Sequence, residues 1–268
     1  MILHPQVARA TIEGYIPAWE AIGRAQQVKS RTYTLFRQPD HAHLAGELVQ
    51  HVIISGAPPL SDEIAQGLWM HDEGWADFDS GVRKYQATPT TYSSEGVALN
   101  LDGKPLSFME VRPADAVVAW DLSIEGAEWA APIAGLIVSG HFHRLAKLGL
   151  TTNHYAAEDK PLLKSFVEGE EQRHQRLMRL QTRTEAEVCH WIDVLRFCDL
   201  LSLYLCSTSA EAVEFPERLG PRQETIRLRR CMDAQEFSPA ILDRETEFVV
   251  SAYEFPGGEP SNLKLKLR

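Results

Sequence analysis

The chain has 268 residues, of which 44% are hydrophobic and 24% charged, and a formal net charge of −10. This length and balance suit one large domain, or a core with a small appendage, and exclude long disordered stretches. An acidic chain gains nothing from counterion release on a polyanion, so no nucleic-acid partner is expected; no apolar stretch nears the roughly 20 residues of a membrane span, no secretory signal pattern opens the chain, and the expected location is cytoplasmic.

Residues 12–27 read as a helix with Ile16, Trp19 and Ile22 on its apolar side. The run RTYTLF at 31–36 alternates and is rich in strand formers, so a short strand is expected there. Pro39 stops it, and Asp40 suits the N-cap of a helix running to about His51. Pro58 and Pro59 break the chain; Ser61 then caps a helix over 64–72, with Asp62 and Glu63 favouring its first turn. Residues 74–113 hold Pro89, Gly96, Gly103, Pro105 and Pro113 and read as a loop-rich insertion, the kind that carries function or covers a site. Helices are expected again at 114–129, 132–148, 160–181 and 185–206.

The tail changes character: 225–231, 247–254 and 263–267 read as strands between turns. The expected fold class is therefore mainly α, with a helical core over 1–210 that carries the insertion. A small β appendage over 211–268 would pack on that core, pair with the strand at 31–36 and offer a surface for a homodimer. The cysteines Cys189, Cys198, Cys206 and Cys231 form no C-x-x-C pair and read as reduced thiols.

Four of these helices place a candidate metal ligand on an apolar stripe. His41 shares a face with Leu44, Ala45 and Leu48, whereas His43 lines up with Glu47 and Gln50; a shift at the helix start would exchange the two. Ile64 and Leu68 lead to His71 and Asp72, whose side chains would diverge by about 100° within a helix but can converge where one ends. Ile137 and Val138 precede His141, and Val188, Ile192 and Leu195 lead to Asp199. Singly, each inward histidine reads as a hydrogen-bonded core residue, and Asp199 could pair with Arg196. An Asp on an apolar stripe is rarely buried without a partner, and a cation is a natural one.

The order His, His-Asp, Asp on successive helices resembles the HD superfamily of metal-dependent phosphohydrolases. Within it the chain is similar to an uncharacterised bacterial family known as a domain of unknown function. The segments that carry this likeness are QPDHAHLAGEL at 38–48, MHDEGW at 70–75, GKPLSF at 103–108, IVSGHFHRL at 137–145 and CDLLSLYLC at 198–206. The common hydrolase form often follows its His-Asp pair with Gly-Lys, but Glu73, Gly74 and Trp75 stand here.

The resemblance implies a metal site of His41, His71, Asp72 and Asp199, with His141 completing a second position if Asp72 bridges two ions. Imidazole and carboxylate ligands suit Mn, Fe, Ni, Co or Zn, one or two ions. The implied activity is hydrolysis of a phosphoester by metal-activated water, with Glu73 and His141 as acid–base groups. A small-molecule substrate, phosphorylated on this reading, would meet Lys104, Arg112 and Arg144 as cations and Trp75 as a wall, with Trp69 and Trp120 as further aromatic candidates. One alternative is a di-iron oxygenase of the same fold, using His141 and one of His154, His174 or His190. The other is a ligand-binding module without turnover.

Overall fold

The structure is a computed structural model and describes residues 1–6, 14–54, 57–152, 155–208, 211–219 and 224–268. The chain opens with strand β1 (Ile2–Pro5) and β2 (Tyr15–Pro17), followed by helix α1 (Ala18–Gln27) and β3 (Tyr33–Phe36). The helix expected from residue 12 thus begins at Ala18. Tyr15, Ile16 and Pro17 instead pair in parallel with a strand near residue 213, and Pro17 cannot supply the N–H an interior helical position needs. Residues 12 and 13 lie outside the described residues.

Helix α2 (Gln38–Leu48) starts two residues before Asp40, whose carboxylate accepts the Arg37 backbone N–H at 3.3 Å from inside the first turn. Helix α3 (Asp62–Met70) is capped by Ser61, which accepts the Ile64 N–H at 3.4 Å. The insertion contains the short helix α4 (Ala76–Asp79) and a hairpin of β4 (Thr91–Tyr92) and β5 (Ala98–Leu99). Four long helices follow: α5 (Pro113–Ala130), α6 (Pro132–Thr151), α7 (Lys160–Met178) and α8 (Glu185–Ser207). Three of them begin with Pro in the first turn, where its missing N–H costs nothing. Among the described residues no helix is long and apolar enough to cross a membrane.

The mainly-α expectation is overturned by what comes next. Strands β6 (Ala212–Glu214), β7 (Arg227–Cys231), β8 (Ala234–Ser238), β9 (Thr246–Phe255) and β10 (Pro260–Leu267) join the N-terminal strands. Together they form one eight-stranded sheet in the order β1-β3-β9-β10-β8-β7-β6-β2. The fold is mixed α/β, the sheet being antiparallel except at β10–β8 and β2–β6. The long strand β9 alternates visibly, Phe248, Val250 and Ala252 being buried between exposed Glu247, Val249 and Ser251. Strand β1 (ILHP) is buried along nearly its whole length, and β8 (AQEFS) at Ala234, Gln235 and Phe237, so neither shows such alternation.

Strand β3 pairs with β9, Tyr33 opposite Phe255, and with β1, Leu35 opposite Leu3. Its two faces feed two apolar clusters. Phe36 and Ile2 belong to the main core, which runs from the helices to Phe248, Val250 and Leu265 of the tail. Tyr33, Leu35, Leu3 and Met1 form a smaller cluster against Phe255. The insertion is pinned to α5 by Asp115, whose carboxylate accepts the backbone N–H groups of Gln86, Ala87 and Thr88 at 2.7–3.3 Å. The cysteines are free thiols, with Cys198 and Cys206 buried.

Candidate metal centre

Helices α2, α3, α6 and α8 converge on one buried cluster of three imidazoles and two carboxylates. His41, His71 and His141 are 0–2% exposed, and Asp72 and Asp199 are each 6% exposed. Ligand atoms of His41, His71 and Asp199 all lie within 4.8 Å of one another. His71 meets His41 and His141 edge-on, with ring centroids 5.4 and 5.6 Å apart.

Local structure explains how neighbours His71 and Asp72 serve one site. Helix α3 ends at Met70, His71 is its C-cap, and Asp72 leaves helical geometry with φ −118° and ψ 19°. The divergence of successive helical side chains therefore does not apply. His71 Nδ1–H donates to the Leu68 carbonyl at 2.7 Å, one of the carbonyls that a helix end leaves without a partner. Gly74 then lets the chain pass against α5: a Cβ there would sit 2.0 Å from the Ala119 carbonyl oxygen.

Hydrogen bonds fix the tautomers. Ser202 Oγ–H donates to the Asp199 carbonyl at 2.8 Å, so its oxygen is left to accept His41 Nδ1–H at 3.0 Å. Both His41 and His71 thus present Nε2 to the site. His41 Nε2 faces Asp72 Oδ2 at 2.8 Å, and His71 Nε2 faces Asp199 Oδ1 at 3.4 Å. A lone pair set against a carboxylate oxygen repels, so each contact holds only with a proton or a cation between the atoms. This donor set fits a divalent metal, with second partners already orienting the rings.

Electrostatics agree with that reading. Burial works against the His71 imidazolium, but the Asp199 hydrogen bond and the Asp72 charge outweigh it and raise its pKa to about 9. Burial would push Asp199 up, yet the His71 hydrogen bond and the His141 ring hold it at about 2, so it stays ionised. Burial lowers His141 to about 4. At neutral pH it is an uncharged ring, with Nε2 3.6 Å from Asp199 Oδ2 and a buried Nδ1 that has no hydrogen-bond partner.

Asp72, His141 and Asp199 form one wall of a cavity of about 350 Å³. Trp75, Trp120 and Phe142 line it nearby, and Trp120 stacks on Phe142 at 5.3 Å between centroids. Sequence reading passed over Trp19, Gln38, Phe108, Met109 and Tyr155 as lining residues, because they come from α1, α2, the insertion and the α6–α7 connection and share no periodicity. It also passed over Ser202, although Ser202 follows Asp199 by three residues on one helix face, a spacing that could have found it.

Other candidate residues stand elsewhere. His43 stacks on Trp69 at 3.6 Å and bonds Glu73 at 2.6 Å, on the outer side of α2 and α3; neither Glu73 nor Trp69 lines the cavity. Lys104 Nζ donates to the Gln26 carbonyl at 2.7 Å, Arg112 pairs with Glu158 and Asp159, and Arg144 pairs with Asp193. Arg196 pairs with Glu217 and Asp193 rather than Asp199. His174 pairs with Glu185 and shares a separate polar cleft with His143, while His190 stands edge-on to Trp191. His154 lies outside the described residues.

A family model described as "Protein of unknown function (DUF3891)" matches residues 26–255. No curated protein and no solved structure matches the chain.

Proposed function

The chain belongs to the DUF3891 family, and we propose that it is a metal-dependent hydrolase with a centre of the HD type. The observation that carries this reading is the pair of tautomer-locked imidazoles, His41 and His71, aimed at two carboxylates in a buried cluster open to a cavity. His41, His71 and Asp199 would hold the ion, with Asp72 beside them. Mn, Fe, Ni, Co and Zn all suit these ligands. When bound, a divalent ion supplies Lewis acidity, lowering the pKa of water and polarising the bond to be cut.

The residues of the chain divide the remaining work. Asp72 faces both His41 and the cavity, and its carboxylate is placed to accept a proton from water. His141, neutral at pH 7 and with an unused Nδ1, can hold or pass a proton at the cavity wall. The aromatic wall of Trp75, Trp120 and Phe142 excludes water from the far side. The oxygenase reading has weaker support, since of its further histidines His174 and His190 stand apart from the cluster and His154 lies outside the described residues.

Elemental analysis of the purified protein beside a His71→Ala/Asp72→Ala variant tests this. Near-stoichiometric metal, lost in the variant while circular dichroism is kept, is the expected result. Two irons per chain would redirect the assignment to oxygenase, and no metal after reconstitution would overturn both.

A further inference from the structure

The cavity beside the cluster is charged on one wall only. Asp72 and Asp199 place two carboxylates there, beside the His141 ring. Around the rest, Trp19, Phe108, Met109, Leu145, Leu148 and Leu203 continue a mostly apolar surface, interrupted by the uncharged polar side chains of Gln38, Thr152 and Tyr155. No Lys or Arg lines the cavity among the described residues. The cations that phosphate recognition would call on are engaged elsewhere: Lys104 with Gln26 and Glu110, Arg112 with Glu158 and Asp159, Arg144 with Asp193.

A phosphate monoester would carry close to two further negative charges into this space. Sites built for that group supply bidentate Arg, Lys or a run of backbone N–H groups, and an unpaired charge in apolar surroundings is strongly disfavoured. An uncharged carbonyl group asks only for polarisation at one end and apolar contact at the other. The volume is also within the range of small-molecule sites, roughly 300–1,000 Å³.

We propose that the substrate of this site is an uncharged carboxylic ester or amide with an apolar aromatic or acyl body, seated among the tryptophans with its carbonyl at Asp72, His141 and Asp199. The assignment rests on the hydrolase reading for its reaction, and on the cavity alone for its ligand class. In the ester case water adds to the carbonyl carbon and the acyl C–O bond breaks. One proton of the water leaves with the alcohol, and the acid releases the other to solvent. No oxidant or reductant enters.

Calorimetric titration with 2-naphthol and with 2-naphthyl phosphate separates the ligand classes, using the protein as purified and again after chelation. The expected result is saturable 2-naphthol binding, at least tenfold tighter than that of the phosphate, in both preparations. Leu148→Arg, at a rim position 51% exposed, should narrow that ratio by adding a cation where solvent already reaches. Hydrolysis of 2-naphthyl butyrate by the metal-loaded protein should exceed hydrolysis of 2-naphthyl phosphate. Equal or tighter phosphate binding in the unaltered protein, or no 2-naphthol binding at all, would overturn the proposal. Selective 2-naphthol binding by a protein that takes up no metal would keep the ligand class and remove the hydrolase.

Discussion

Ser202 has one proton to give, and it gives it to the Asp199 carbonyl. That single commitment decides which nitrogen of His41 faces the site, because the serine oxygen can then only accept. Ser202→Ala removes the acceptor without touching a ligand, leaving His41 free to change tautomer or rotate. Metal affinity, read by competition with a chelating dye, should fall about 10–100-fold while the folded state persists. An unchanged affinity would mean that packing alone orients His41. At this scale part of the centre was legible: His41, His141 and Asp199 sit on apolar stripes, and His71 and Asp72 follow the one that Ile64 and Leu68 form, where a polar residue needs a reason. The Leu68 carbonyl was not, since a backbone oxygen leaves no pattern, and Ser202 was signalled only by its i,i+3 spacing from Asp199.

The elements meet through close approaches that specific glycines permit. Gly74 passes so near α5 that a Cβ would collide with backbone, the Ala119 oxygen at 2.0 Å and the Ser123 nitrogen at 2.7 Å, neither of which can rotate away. A Cβ at Gly140, between α6 and α8, would meet Ile192 Cδ1 at 2.3 Å, the far end of a flexible side chain. Gly74→Ala is therefore expected to cost about 3 kcal/mol or more, the upper end of overpacking effects, and Gly140→Ala less. Urea unfolding of the two variants checks the order; the reverse ranking would show that α5 yields and α6–α8 does not. The Gly74 change should also weaken metal binding, because it displaces the segment that carries His71 and Asp72. Sequence marked Gly74 only as the end of a helix. Its second role depends on α5, which begins almost forty residues later.

Over the whole molecule the helices and the sheet share one core, so the β-rich tail is expected to be required for folding. Strand β3 lies between β1 and β9, and Phe248, Val250 and Leu265 pack into the same cluster as Ile22, Leu48 and Leu195. A chain ending at residue 210 would uncover that cluster and leave the β3 edge open, a template for aggregation. It should be insoluble or lack a cooperative thermal transition; a soluble fragment that unfolds cooperatively would show that 1–210 stands alone. The sequence by itself determined the four long helices, strands read at 225–231, 247–254 and 263–267 within a residue or three of where they stand, and the stripes that turn candidate metal-ligating side chains inward. Those features follow from local periodicity and capping, which a single chain segment carries. Only the tertiary structure decided that eight strands form one sheet, that Tyr15–Pro17 joins it rather than α1, and that the cavity is walled by aromatic residues while the nearby cations are paired elsewhere. Each of these depends on which distant segments become neighbours, and strand pairing or charge pairing across such separations leaves no spacing to read.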